Sequence, residues 1–167
     1  MRNVGWLKCG FLLLLLIPLV FMSCEEDEKA NGSEKGWIKY EGKTYGLSQA
    51  AAVSQVESFP GFSGKGYTVR VVSKDRSNDL MFGFYSNAST LQTATGTYTM
   101  YRGQPEPGTM SNIVTSGVLG GEPFYWPSFT NIKITIGYSD GKFKIEGYWD
   151  SAEGKVEIYY NGEIEIQ

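Results

Sequence analysis

Asn131-Ile132-Lys133-Ile134-Thr135-Ile136-Gly137-Tyr138-Ser139-Asp140-Gly141-Lys142-Phe143-Lys144-Ile145-Glu146-Gly147-Tyr148-Trp149 decides the fold class of this chain. Ile132, Ile134, Ile136 and Tyr138 alternate with Lys133, Thr135 and Gly137, and Phe143, Ile145, Gly147 and Trp149 alternate with Lys144, Glu146 and Tyr148. A side-chain period of two belongs to a strand with one face buried and one face wet. Ser139-Asp140-Gly141 between the two runs supplies the turn, so the stretch predicts an antiparallel hairpin.

Toward the C-terminus, Lys155 to Gln167 poses a choice. Asn161-Gly162 is a strong hairpin signal by itself. A two-residue turn there would pair Ile158 with Glu165 and Glu157 with Ile166, mixing apolar and acidic side chains on one face. Read as one strand, Val156, Ile158, Tyr160, Gly162, Ile164 and Ile166 face one way, with Glu157, Tyr159, Asn161, Glu163 and Glu165 opposite. Slipping the register by one flips every side chain, so the alternation predicts one long strand with Gly162 as the place for a bulge.

Toward the N-terminus, Trp37–Tyr40 and Lys43–Leu47 flank Glu41-Gly42 as a first hairpin. Ser48–Ser58 has helix-favouring alanines, with Ser48 as a candidate cap, but its all-β neighbourhood tips the reading to strand. Phe59–Gly66 reads as a loop on its glycine and proline content. Tyr67–Ser73 and Leu80–Tyr85 alternate again as a hairpin about Lys74–Asp79. Asp75-Arg76-Ser77-Asn78-Asp79 has oxygens at alternate positions, like a calcium loop. It has Leu80 where such a loop needs glycine and Ser86 where it needs glutamate, so it reads as a plain turn. Thr97–Tyr101 and Ile113–Leu119 are further strands, separated by the loop Gln104–Gly108. Glu122-Pro123-Phe124-Tyr125-Trp126-Pro127-Ser128-Phe129 follows, a proline-bounded aromatic loop.

Seven to nine strands without a long helix predict an all-β domain over 37–167, an antiparallel two-sheet sandwich or, alternatively, a closed calycin-like barrel.

The first residues carry a different message. Arg2 and Lys8 precede an apolar run from Phe11 to Met22, which Pro18 interrupts and which is shorter than the ~20 residues a membrane-spanning helix needs. Ser23-Cys24 then resembles a bacterial lipobox, with Phe21 and Met22 departing from its preferred Leu and small residue. The resemblance implies a signal peptide over 1–23 and diacylation of Cys24. Two or three acyl chains hold a protein at a membrane where one does so only marginally. Glu25-Glu26-Asp27-Glu28 resembles the acidic export tract of Bacteroidota surface lipoproteins, which implies an outer-membrane protein facing outward, with the periplasmic face as the alternative. Residues 24–36 read as an acidic tether reaching up to about 40 Å from the membrane. The Gly42–Tyr45 hairpin, Gly96–Thr99 and the C-terminal Tyr160–Gly162 strand are similar to small uncharacterised β-domain lipoproteins of the Bacteroidota, a group that offers no catalytic motif to carry over.

Removing residues 1–23 takes away Arg2 and Lys8 and no acid, so a net charge of −3 becomes more acidic and a nucleic-acid partner is not expected. Cys9 lies in the leader, so a lipidated Cys24 leaves no free thiol, and the chain has no histidine. Ser-His-Asp triads, Cys-His pairs and thiolate or histidine zinc sites are thereby excluded, and no metal or cofactor is expected. What remains is a binding or interaction module for a glycan or protein. Phe124, Tyr125, Trp126 and Phe129 are its candidate ligand platform, because aromatic rings stack on apolar and sugar faces while keeping a polar edge wet. A structural or assembly subunit is the alternative, with the long C-terminal strand adding to another sheet. A glycoside hydrolase is the third reading, with Glu146 and Asp150 as its nearby acids. Exposed Tyr148 and Tyr159 read as cross-strand pairs.

Overall fold

The computed structural model describes residues 34–59, 62–100, 106–110, 116–125, 129–151 and 154–167. In chain order its strands are β1 (Gly36–Tyr40), β2 (Lys43–Leu47), β3 (Gln49–Phe59), β4 (Phe62–Val72), β5 (Asp79–Ser86), β6 (Gly96–Thr99), β7 (Ser116–Leu119), β8 (Glu122–Tyr125), β9 (Phe129–Ser139), β10 (Lys142–Ser151), β11 (Gly154–Gly162) and β12 (Glu165–Ile166). They form two six-stranded sheets, β2-β1-β11-β10-β9-β6 and β12-β3-β4-β5-β7-β8. The all-β sandwich expected from the alternation is what forms. Both sheets are open, so the barrel alternative falls. The twelve strands among the described residues exceed the expected seven to nine, because several loops of the sequence reading are themselves paired.

Three hairpins close on two-residue turns of one kind. Glu41-Gly42, Gly120-Gly121 and Asp140-Gly141 have φ of 50° and 74°, 62° and 84°, and 51° and 76°. Two consecutive positive φ values give the turn whose twist matches that of the strands it joins. Asn161-Gly162 has no such φ and stays extended inside β11.

The core lies between the sheets. From one side come Ile38, Ile134, Ile136, Ile145, Trp149, Val156, Ile158 and Tyr160; from the other, Tyr67, Val69, Val71, Leu80, Phe82 and Phe84. Apart from Ile38, whose facing the sequence left open, these belong to the inward sets read from the alternation; Tyr138, read with Ile132, Ile134 and Ile136, is instead 40% exposed at the end of β9. Phe84 of one sheet meets Tyr98 of the other at a ring distance of 4.3 Å. Tyr67 and Tyr98 keep their hydroxyls satisfied, donating to the Ala88 and Ala94 carbonyls, both at 2.9 Å. Asn78 joins the sheets at one end: its amide nitrogen donates to the Gly46 carbonyl at 3.1 Å and its oxygen accepts from Gly120 N–H at 2.9 Å.

Four readings need correction. Phe59–Gly66 is not a loop: β3 runs to Phe59 and β4 begins at Phe62, with Phe59 opposite Phe62. Gly64 provides room rather than a turn, since a Cβ there would lie 2.7 Å from the Phe62 ring, which packs edge-on to Tyr85 at 5.5 Å. Glu122–Tyr125 is strand β8, at the edge of its sheet, where Pro123 lacks no needed donor. The strand at Thr97 stops at Thr99. The C-terminal strand is not continuous: β11 ends at Gly162, and β12 pairs in parallel with β3 of the other sheet. The Tyr160 hydroxyl donates to the Glu163 carbonyl at 2.8 Å and holds that crossing. Alternation persists through buried Ile164, and Ile166 is 50% exposed. The narrow preference for strand over helix at Ser48–Ser58 holds, as β3.

Candidate functional site

The first sheet has a wet outer face, and its register places side chains on it in rows. Trp37 of β1 stands opposite Tyr159 of β11, Tyr159 opposite Glu146 of β10, Glu146 opposite Thr135 of β9, and Thr135 opposite Thr97 of β6. The next row runs Lys39, Glu157, Tyr148, Lys133 and Thr99. Since Ile38, Ile158, Gly147 and Ile134 face the core, their neighbours must face solvent.

Trp37, Lys133, Thr135, Glu146, Gly147, Tyr148, Glu157, Ile158 and Tyr159 surround a shallow hollow of about 410 Å³. Its aromatic floor is partly preassembled: Trp37 and Tyr159 stack with centroids 5.9 Å apart and planes at 23°. Tyr148 is the third ring, with the Lys155 ammonium 4.8 Å from its centroid, and the Lys39 ammonium lies 5.1 Å from the Trp37 ring. Gly147 matters beneath them. A Cβ there would overlap the Lys133 carbonyl and lie 2.7 Å from Ile134 Cα, so β9 and β10 approach this closely only over glycine. Two residues on, Asn131 and Ile132 oppose Trp149 in a bulge, with Asn131 at φ 54° and its amide donating to Asp150 at 2.9 Å.

The polar groups are organised by charge. Glu146 pairs with Lys144 and Glu157 with Lys155, each at 2.7 Å. The carboxylates push both lysines upward in pKa, mainly through those hydrogen bonds. Each carboxylate retains free lone pairs as an acceptor. The hollow therefore offers three ring faces, two ionised acceptors and the Lys133 ammonium.

The platform expected from Phe124, Tyr125, Trp126 and Phe129 falls only partly on described residues. Phe124 and Tyr125 have their backbone on β8, at the edge of the second sheet, while Phe129 begins β9 of the first. Trp126 and Cys24 lie outside the described residues. Tyr148 and Tyr159 do form the expected cross-strand pairs, with Glu157 and Glu146. The missing signal was Trp37: β1 pairs with β11, a partner distant in sequence, and brings its indole onto Tyr159. Glu146 and Asp150 stand on β10 with their Cα atoms roughly 13 Å apart along the strand, and Asp150 accepts from the Asn131 amide.

A larger hollow of about 600 Å³ near the C-terminus is lined by Lys35, Arg70, Arg76, Glu163 and Glu165 among others. It has no aromatic ring, and Arg70 is committed to Asp79. No protein-family profile, no curated protein and no solved structure matches this chain.

Proposed function

We propose that this protein is a lipid-anchored glycan-binding module of the cell surface, held through Cys24 and reading its ligand with the outer face of the first sheet. One observation carries the binding half: Trp37, Tyr148 and Tyr159 share that face with the acceptors Glu146 and Glu157 around one hollow. Sugar rings present C–H faces that stack on aromatic rings and hydroxyl edges that donate to carboxylates. The surrounding backbone is a paired sheet, so little ordering cost falls on the protein when a ligand docks.

The anchoring half is supported by the lipobox-like Ser23-Cys24 and the acidic tract after it. Binding is favoured over turnover because the chain has no histidine and both hollow carboxylates are engaged by lysines. For the assembly reading, β11 lies between β1 and β10, and the part of the C-terminal run that stands at a sheet edge is the two-residue β12.

A glycan array probed with the detergent-solubilised full chain tests the binding half. Binding that Trp37→Ala abolishes, with the thermal transition intact, is the expected result; equal binding by the variant overturns it. Lipid labelling of cells tests the anchor: wild type should incorporate labelled acyl chain and Cys24→Ser should not. Protease shaving of intact cells that leaves the domain untouched would contradict outward display.

A further inference from the structure

Resting on the glycan-binding reading of this face, we infer that the ligand is an acidic glycan, whose sugars carry carboxylate or sulfate groups, and that Lys133 is the residue selecting for that charge. The chain as a whole is acidic, with net charge −3. Its outer face around the hollow departs from that average: Lys39, Lys133, Lys144 and Lys155 stand there beside Glu146, Glu157 and Asp150.

The partners of these groups single out Lys133. Lys144 and Lys155 are taken by Glu146 and Glu157. Lys39 lies over the Trp37 ring. Asp150 accepts from the Asn131 amide. Among the described residues the ion pairs are Arg70–Asp79, Lys144–Glu146 and Lys155–Glu157, so Lys133 has no carboxylate within 4.0 Å. It is exposed, lines the hollow, and stands opposite Tyr148 in the register. An ammonium with three donors thus flanks the aromatic floor, while the acids beside it already hold cations. A cationic sugar stacked on Trp37 and Tyr159 would meet surrounding ammonium groups; a carboxylate or sulfate on that sugar would meet an uncommitted one. Shape is left to the rings, and charge discrimination to Lys133.

Matched polymers test this. The full-length protein would be titrated with polygalacturonate and other uronate polymers, each beside its methyl ester, which keeps the backbone and removes the charge, and with dextran sulfate beside dextran. At low salt the charged member of a pair should bind tighter by about three- to five-fold for each contact with Lys133. The preference should shrink as salt rises toward 1 M, where the screening length is about 3 Å. Lys133→Gln, at an exposed position, should abolish the preference, read as the ratio of charged to neutral affinity measured within the variant itself. A preference confined to the uronate arm assigns a carboxylate, and one confined to the sulfate arm a sulfate. Equal binding of charged and neutral members, or an undiminished preference in Lys133→Gln, overturns the inference and leaves the glycan reading standing. Absence of binding to every polymer overturns both.

Discussion

The Tyr160 hydroxyl donates to the Glu163 carbonyl at 2.8 Å, bridging the point where the chain leaves one sheet for the other. Tyr160 is fully buried, and burial, with Glu163 nearby, pushes its pKa up to about 12 from the ordinary 10. The folded protein therefore holds this proton more tightly than the unfolded chain between those values. Its contribution is complete below pH 10 and is lost as pH rises to about 12, amounting to roughly 2–3 kcal/mol. Denaturation midpoints across pH 9–12 should fall, and Tyr160→Phe should flatten much of the decline. Tyr67 and Tyr98, also raised mainly by burial, account for part of what remains.

Asp75 gives the opposite slope at acid pH. Hydrogen bonds from the Ser73 hydroxyl, then from the Ser77 backbone and hydroxyl, lower its pKa to about 2. A depressed carboxylate stabilises the fold above about pH 3.8, and the effect is lost as pH falls through 2. Asp75→Asn should lower stability at neutral pH and weaken its dependence on pH between 4 and 2, as read by urea titration.

Asn78 ties the first hairpin to two turns of the opposite sheet. Asn78→Ala leaves the Gly46 carbonyl and the Gly120 N–H without their partner in a largely buried place, which should cost about 2–3 kcal/mol in chemical denaturation. Asn78→Asp keeps the acceptor but not the donor and should also destabilise.

Glu41 and Asp140 occupy the same position of the same turn, at φ 50° and 51°. Left-handed backbone suits Asn, Asp or Gly there and penalises other residues. Glu41→Asn should therefore raise stability by about 0.5–1 kcal/mol, visible as a higher melting temperature, whereas Asp140→Glu should lower it.

Gly147→Ala should destabilise by about 3 kcal/mol, because the added Cβ would meet β9 backbone on the core side of the sheet. If the variant folds, its hollow should bind glycan more weakly, since β9 and β10 must separate under Tyr148. A melting temperature equal to wild type would show that the close approach is not required.

Most inward-facing side chains were legible in the alternation, Tyr138 and Ile166 at strand ends being the exceptions. The alternations at Ile132–Ile136, Phe143–Trp149 and Val156–Ile164 carry through because a period of two is a local property of the strand and burial enforces it. The same arithmetic correctly refused a hairpin at Asn161-Gly162. Local chemistry misled where tertiary contacts gave glycine or proline another use: Gly64 makes room for Phe62, and Pro123 sits on an edge strand. Only the tertiary structure decided that the chain breaks after Gly162 and crosses to β3, because the bond from Tyr160 to Glu163 is backed by pairing with a strand more than a hundred residues earlier. Strand order likewise decided the candidate site. Tyr148, Tyr159, Glu146 and Glu157 could be assigned from sequence to a wet face, but Trp37 and Lys133 join them only because β1 and β9 flank the β10–β11 hairpin. Pairing between sequence-distant strands depends on the packing of the whole core, and no local pattern in this chain specifies it.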